Sequence, residues 1–98
     1  MTVSIEKDRL TARSPEGIPM GYICFPGIRT DLVNITSVVT LPGFRQQEVA
    51  GPMMEALVSH LIQTGRKAAL TAPFAQKYMA GHPRRHRILP EGLHFTTY

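Results

Sequence analysis

Tryptophan is absent from this 98-residue chain, cysteine occurs once, and the aromatic residues are limited to three tyrosines and four phenylalanines. A single thiol, Cys24, excludes an intrachain disulfide and any metal site built from clustered thiolates. The four histidines, His60, His82, His86 and His94, offer no helical ligand pair: only His82 and His86 stand four apart, and Pro83 lies between them. No metal is therefore expected. No apolar run approaches the roughly 18 residues that span a bilayer, so no membrane partner is expected. The opening Met1-Thr2-Val3-Ser4-Ile5-Glu6 has no basic leader followed by an apolar stretch, which makes a cytoplasmic location the expectation. Acidic residues are also scarce. Seven of them face eleven lysines and arginines, giving a net charge of +4, and part of the excess sits in Arg84-Arg85-His86-Arg87. Such a balance favours anionic partners in general: nucleic acid, phosphorylated cofactors or acidic peptides.

What is present fits one globular unit spanning residues 1–98. Apolar residues make up 43% and charged residues 18%, which argues against disorder. There is no repeat, no low-complexity tract and no linker. A chain of this length buries only about 60–65% of its unfolded surface, so its stability margin is modest.

The first half reads as strands. Val3-Ser4-Ile5 alternates, and Lys7-Asp8 turns it into Leu10-Thr11-Ala12. Pro15-Glu16-Gly17 is a turn, because proline presets φ and glycine permits positive φ. Ile18 to Phe25 follows, ending at Pro26-Gly27. Cys24, among Tyr22, Ile23 and Phe25, reads as a small buried hydrophobe. Leu32 to Thr40 is dense in β-branched residues. Val38 breaks its alternation, which predicts an end that is irregular or buried on both faces.

The second half changes period. Ala50, Met53, Met54, Leu57, Val58, Leu61 and Ile62 recur at helical spacing, with Glu55, Ser59 and Gln63 opposite them. This predicts a helix over 49–64, with Pro52 in its first turn and Gly65 closing it. Ala68-Ala69-Leu70-Thr71 is a short strand. Pro73 starts a second helix through Met79, closed by Gly81. A last strand at Leu93 to Thr97 is a further expectation. The order is β-β-β-β-α-β-α, an α/β (α+β) chain with a mixed, mostly antiparallel sheet. The step from 32–40 through the first helix to 68–71 should be a right-handed crossover between parallel strands.

The turn entering the crossover helix is chemically special, since a helix N-terminus offers unpaired N–H groups and a positive dipole end. It reads Leu41-Pro42-Gly43-Phe44-Arg45-Gln46-Gln47-Glu48-Val49-Ala50-Gly51-Pro52. Here the chain resembles the small members of the GNAT superfamily of N-acetyltransferases. These place Arg/Gln-x-x-Gly-x-Gly/Ala at this turn, often as Arg-Gly-x-Gly-Ile-Ala-Gly, to hold the pyrophosphate of acetyl-CoA. Arg45, Ala50 and Gly51 match, Val49 is conservative, and Gln46 and Glu48 replace glycines. A second match is Ala72-Pro73-Phe74-Ala75-Gln76-Lys77-Tyr78-Met79-Ala80-Gly81-His82-Pro83, similar to the family's Cys-Pro-Phe/Tyr, short helix and His-Pro. Ala72 stands where the cysteine belongs. Ser37-Val38-Val39-Thr40 replaces the family's His-Thr-x-Val. The resemblance covers roughly residues 17 to 90 and implies a minimal GNAT-like fold.

The resemblance also implies a site. Acetyl-CoA would be held by Val39, Thr40, Arg45, Gln46, Gln47, Glu48, Val49, Ala50, Gly51, Pro73 and Phe74, with Tyr78 as general acid on the departing thiolate. For Tyr78 the competing reading is packing of the second helix. Glu48 puts a carboxylate where phosphates should sit. At ~4 Å and an effective dielectric near 20, one like-charge contact costs about 4 kcal/mol. Glu48→Gly should therefore tighten binding. Three functions remain open: an acetyl-CoA-binding acetyltransferase with an unknown amine acceptor, a non-catalytic binding module of the same fold, and, ranked third, a nucleic-acid binder using Arg84, Arg85 and Arg87. No aromatic residue interleaves with that cluster. The second reading gains if Phe44 or Phe74 fills the cleft.

Overall fold

The computed structural model describes residues 1–82 and Ile88; the expected strand at 93–97 and the Arg84–Arg87 cluster lie outside the described residues. Strands β1 (Thr2–Ile5), β2 (Arg9–Arg13) and β3 (Pro19–Cys24) form an antiparallel meander. The β2–β3 turn follows its chemistry: Gly17 takes φ +86°, and its N–H donates to the Ser14 carbonyl at 2.8 Å. A short strand not expected from the sequence, β4 (Gly27–Arg29), pairs antiparallel with β5 (Leu32–Ile35).

The strand expected over 32–40 divides at Thr36 into β5 and β6 (Ser37–Thr40). Val33 and Ile35 point into the core, and the next core-facing residue is Val38, three positions on rather than two. One extra residue must therefore be absorbed, and Thr36 takes it. β5 runs parallel to β7 (Lys67–Leu70), from Leu32 opposite Lys67 to Ile35 opposite Leu70, whereas β6 pairs antiparallel with β3. Past Ile35 the two sheets, β1-β2-β3-β6 and β4-β5-β7, separate. The expected parallel crossover partner of 68–71 is thus only the first half of that segment.

Helix α1 (Gln46–Thr64) lies across the meander and buries seven residues, from Val49 to Leu61. It begins three residues before its expected start, so Pro52 sits inside it rather than in the first turn. Proline there removes one backbone hydrogen bond and costs about 3 kcal/mol. Anchored apolar residues on both sides, Val49 and Ala50 before it and Met53 and Met54 after it, hold the helix through that point. Its close approach to the sheet depends on Gly21, where a Cβ would stand 2.5 Å from the Val39 carbonyl oxygen and 3.1 Å from a Val49 methyl. α2 (Pro73–Ala80) follows and packs against α1 and β7. Met53 and Met54 are core, as expected, but Cys24 is not: it is half-buried, because period-two alternation sends Ile23 and Phe25 inward and Cys24 outward.

Candidate functional site

The site grows from the turn between β6 and α1. Gly43 adopts φ +93°, which reverses the chain, and Phe44 packs its ring partly against the core. Arg45 is the N-cap, extended at φ −85° and ψ 129°, with no side chain capping the helix. Its carbonyl accepts from Glu48 N–H at 3.0 Å and Val49 N–H at 3.2 Å. The N–H groups of Gln46 and Gln47 have no partner among the described residues. Two exposed donors and the positive dipole end therefore face solvent. The Glu48 carboxylate leans on the Arg45 guanidinium at 3.8 Å, with both side chains well exposed, at 65% and 76%.

Beside this helix end lies an open cleft of about 520 Å³, lined by Gln46, Gln47, Pro73, Phe74, Lys77 and Tyr78. Pro73 opens α2 at a position that needs no N–H, and Phe74 is half-buried on the core while still facing the cleft. Neither Phe44 nor Phe74 closes it. On α1, Gln47, Gly51 and Glu55 follow one another at four-residue steps along one face. Gly51 has nothing within 4 Å of where a Cβ would stand. Tyr78 spans the two helices: its hydroxyl donates to Glu55 Oε2 at 2.8 Å, and its ring stacks on His82 at 4.0 Å. His82 follows Gly81, the C-cap of α2, with Nδ1 2.6 Å from the Tyr78 carbonyl oxygen.

The split in the sheet lies just before the turn into α1, and no β6 residue is among the cleft's lining. β6 pairs with β3 on one side, while β7 has left it on the other, so this edge of Ser37–Thr40 has no strand partner among the described residues. The Thr40 hydroxyl oxygen is buried and has no hydrogen-bond partner among the described residues. Of the residues expected to bind a cofactor, Gln46, Gln47, Pro73 and Phe74 line one cleft, and Arg45 and Glu48 flank it. Val39 and Thr40 lie on the split edge. Val49 and Ala50 are wholly buried and offer no surface to a ligand; they anchor the loop to the core. Ala72, at the cysteine position, is also buried. Sequence reading named Lys77 only within the second motif and Glu55 only on the polar side of the first helix, and placed neither in the site. Their signal was helical spacing: Lys77 stands four residues after Pro73, and Glu55 eight after Gln47.

A family model described as GCN5-related N-acetyl-transferase matches residues 9–88. The fold is similar to that of a GCN5-like protein of Staphylococcus aureus, described as a candidate N-acetyltransferase and solved in solution by NMR. The match has a TM-score of 0.73 at 14% identity and covers 99% of this chain and 94% of that one. No curated protein matches the sequence.

Proposed function

The chain belongs to the GCN5-related N-acetyltransferase family, and from that membership we propose that it binds acetyl-CoA at the split sheet and transfers the acetyl group to an amine. The observation that carries this reading is the parting of β6 from β7 directly beside the uncapped N-terminus of α1. A slot between strands accepts a narrow extended arm, and the helix end accepts phosphates.

The residues present fit such a ligand. The Gln46 and Gln47 N–H groups would donate to the pyrophosphate, with Arg45 and Lys77 supplying positive charge. The free edge at Val39 and Thr40 would pair with the amide groups of the arm, and the orphaned Thr40 hydroxyl would gain a partner. Pro73 and Phe74 would form the apolar wall. Glu48 opposes binding less than its charge suggests, since its carboxylate is solvated and turned toward Arg45. Transfer needs an amine nitrogen to attack the thioester carbonyl carbon while the carbon–sulfur bond breaks. The amine loses a proton and the thiolate gains one. Positioning alone supplies much of such a rate, so the Ala72 position does not forbid it. Tyr78 can give its proton to the thiolate only if its hydroxyl leaves Glu55.

The open cleft favours this reading over a non-catalytic module with a filled site. The test is acetyl-CoA hydrolysis and transfer measured against a panel of small amines and lysine peptides. Turnover that Tyr78→Phe lowers about tenfold or more supports the full proposal. Binding without any turnover would reduce the protein to a CoA-binding module.

A further inference from the structure

The sheet β1-β2-β3-β6 has two faces of opposite character. Alternation turns Leu10, Ala12 and Ile23 toward α1, where they are buried. The other face carries Ser4, Arg9, Thr11, Arg13, Tyr22 and Cys24, and neither helix lies on it: α1 packs on the first face, and α2 packs against α1 and β7. The Arg9 guanidinium lies over the Tyr22 ring, its Cζ 4.3 Å from the centroid, with one nitrogen 3.7 Å from Cys24 Sγ. Arg13 donates to the Ser4 hydroxyl at 2.9 Å.

Both guanidinium groups are thus held in place by neutral neighbours. Neither has a carboxylate partner among the described residues, whereas Arg29 and Arg45 each have one. Among the described residues no carboxylate stands on this face. Glu6, Asp8 and Glu16 occupy the turns at its ends, Asp31 the β4–β5 turn, and Glu48 and Glu55 belong to α1. A guanidinium fixed on an aromatic ring still points unused N–H donors outward, in the planar fork that suits a carboxylate. Four residues along a strand separate Arg9 from Arg13 by about 13 Å. That is the spacing between side chains four residues apart in another extended chain.

We propose that this face docks an acidic peptide in extended conformation, with carboxylates four residues apart seated on Arg9 and Arg13. Nucleic acid fits less well, because Tyr22, the face's aromatic ring, is already covered by Arg9 and cannot stack on a base. The proposal does not rest on the proposed CoA site, since Arg9 and Arg13 lie on β2 and face away from α1.

The experiment is an amide NMR titration of the full chain with a synthetic ten-residue peptide, rich in serine and threonine, carrying glutamates at positions i and i+4. Shifts should concentrate at residues 9–13 and 22–24 and weaken with added salt. A peptide with glutamine in both places should bind about tenfold or more weaker, and Arg9→Gln with Arg13→Gln should lower affinity for the acidic peptide by a similar factor. Circular dichroism of the double variant checks that the sheet persists; if it does not, the glutamine peptide alone decides. Equal binding of both peptides, shifts confined elsewhere, or tighter binding of a single-stranded oligonucleotide would overturn the proposal.

Discussion

The two ends of α1 are finished in opposite ways. At the C-terminus, Gly65 adopts φ +71°, its N–H reaches the Ile62 carbonyl at 3.2 Å, and the Arg66 N–H reaches Leu61 at 2.9 Å. This double bond pattern satisfies the orphaned carbonyls within the chain. At the N-terminus an arginine occupies the position where serine or aspartate is preferred, and among the described residues no side chain caps the helix and two donors stay open. A helix that needed only stability would be closed at both ends. The open end adjoins the cleft and follows the parted strand β6, and under the proposed function it is the terminus that would meet a ligand.

The largest effect expected is from bringing the open end off the sheet. Gly21→Ala places a methyl group against the Val39 carbonyl, a backbone atom that cannot step aside, and should cost about 2–3 kcal/mol in urea unfolding. It should also abolish CoA binding, because β6 and the first turns of α1 move apart. A smaller loss is expected at the closed end. Gly65→Ala forces an alanine into the left-handed region and should cost about 1–1.5 kcal/mol while leaving CoA affinity unchanged.

Closing the open end should raise stability and lower affinity together. Arg45→Ser supplies the missing cap and should add about 1 kcal/mol to unfolding free energy. The same change removes a cation beside the proposed phosphate site and should weaken CoA roughly fivefold, or about 1 kcal/mol. A gain in both quantities would contradict a ligand-directed N-terminus. Glu48→Gln is gentler. Because this carboxylate is solvated, its repulsion falls toward the aqueous value of about 1 kcal/mol, and affinity should rise no more than roughly fivefold in calorimetry.

The smallest effect touches neither end. A hydrogen bond from Arg29 holds the Asp31 carboxyl below its ordinary value of 3.8. A depressed carboxylate contributes stability above 3.8 and loses it as pH falls through the lower folded value. The pair is solvent-exposed, so amide protection in the β4–β5 hairpin, taken relative to the intrinsic exchange rate at each pH, should fall only slightly at acid pH and should do so less at high salt.

Much of this was legible in the sequence, and the misses have physical causes. Period and turn chemistry placed β1 to β3, both helices and β7 within a few residues. Val38 announced an irregular strand, but pattern alone could not say that its two halves join different neighbours, since pairing is a long-range choice. Cys24 was misplaced because a run of apolar residues hid the strict alternation that exposes every second one. Pro52 pulled the expected helix start too far along, because proline is tolerated in a first turn and core packing overrode the preference. In the candidate site, the motifs pointed to the helix end and to Pro73-Phe74, which the structure brings to one cleft. The Tyr78–Glu55 bond joins positions 23 residues apart, and no local pattern encodes it.

The central claim is that the open end of α1 and the parted strands form one ligand site. An amide NMR titration of the wild-type chain with CoA tests it most directly. The account predicts saturable shifts concentrated at residues 39–51 and 72–78, with the signals of Gln46 and Gln47 moving most and those of Gly65 and Arg66 staying still. No shifts at millimolar CoA, or shifts of equal size at both ends of α1, would contradict it.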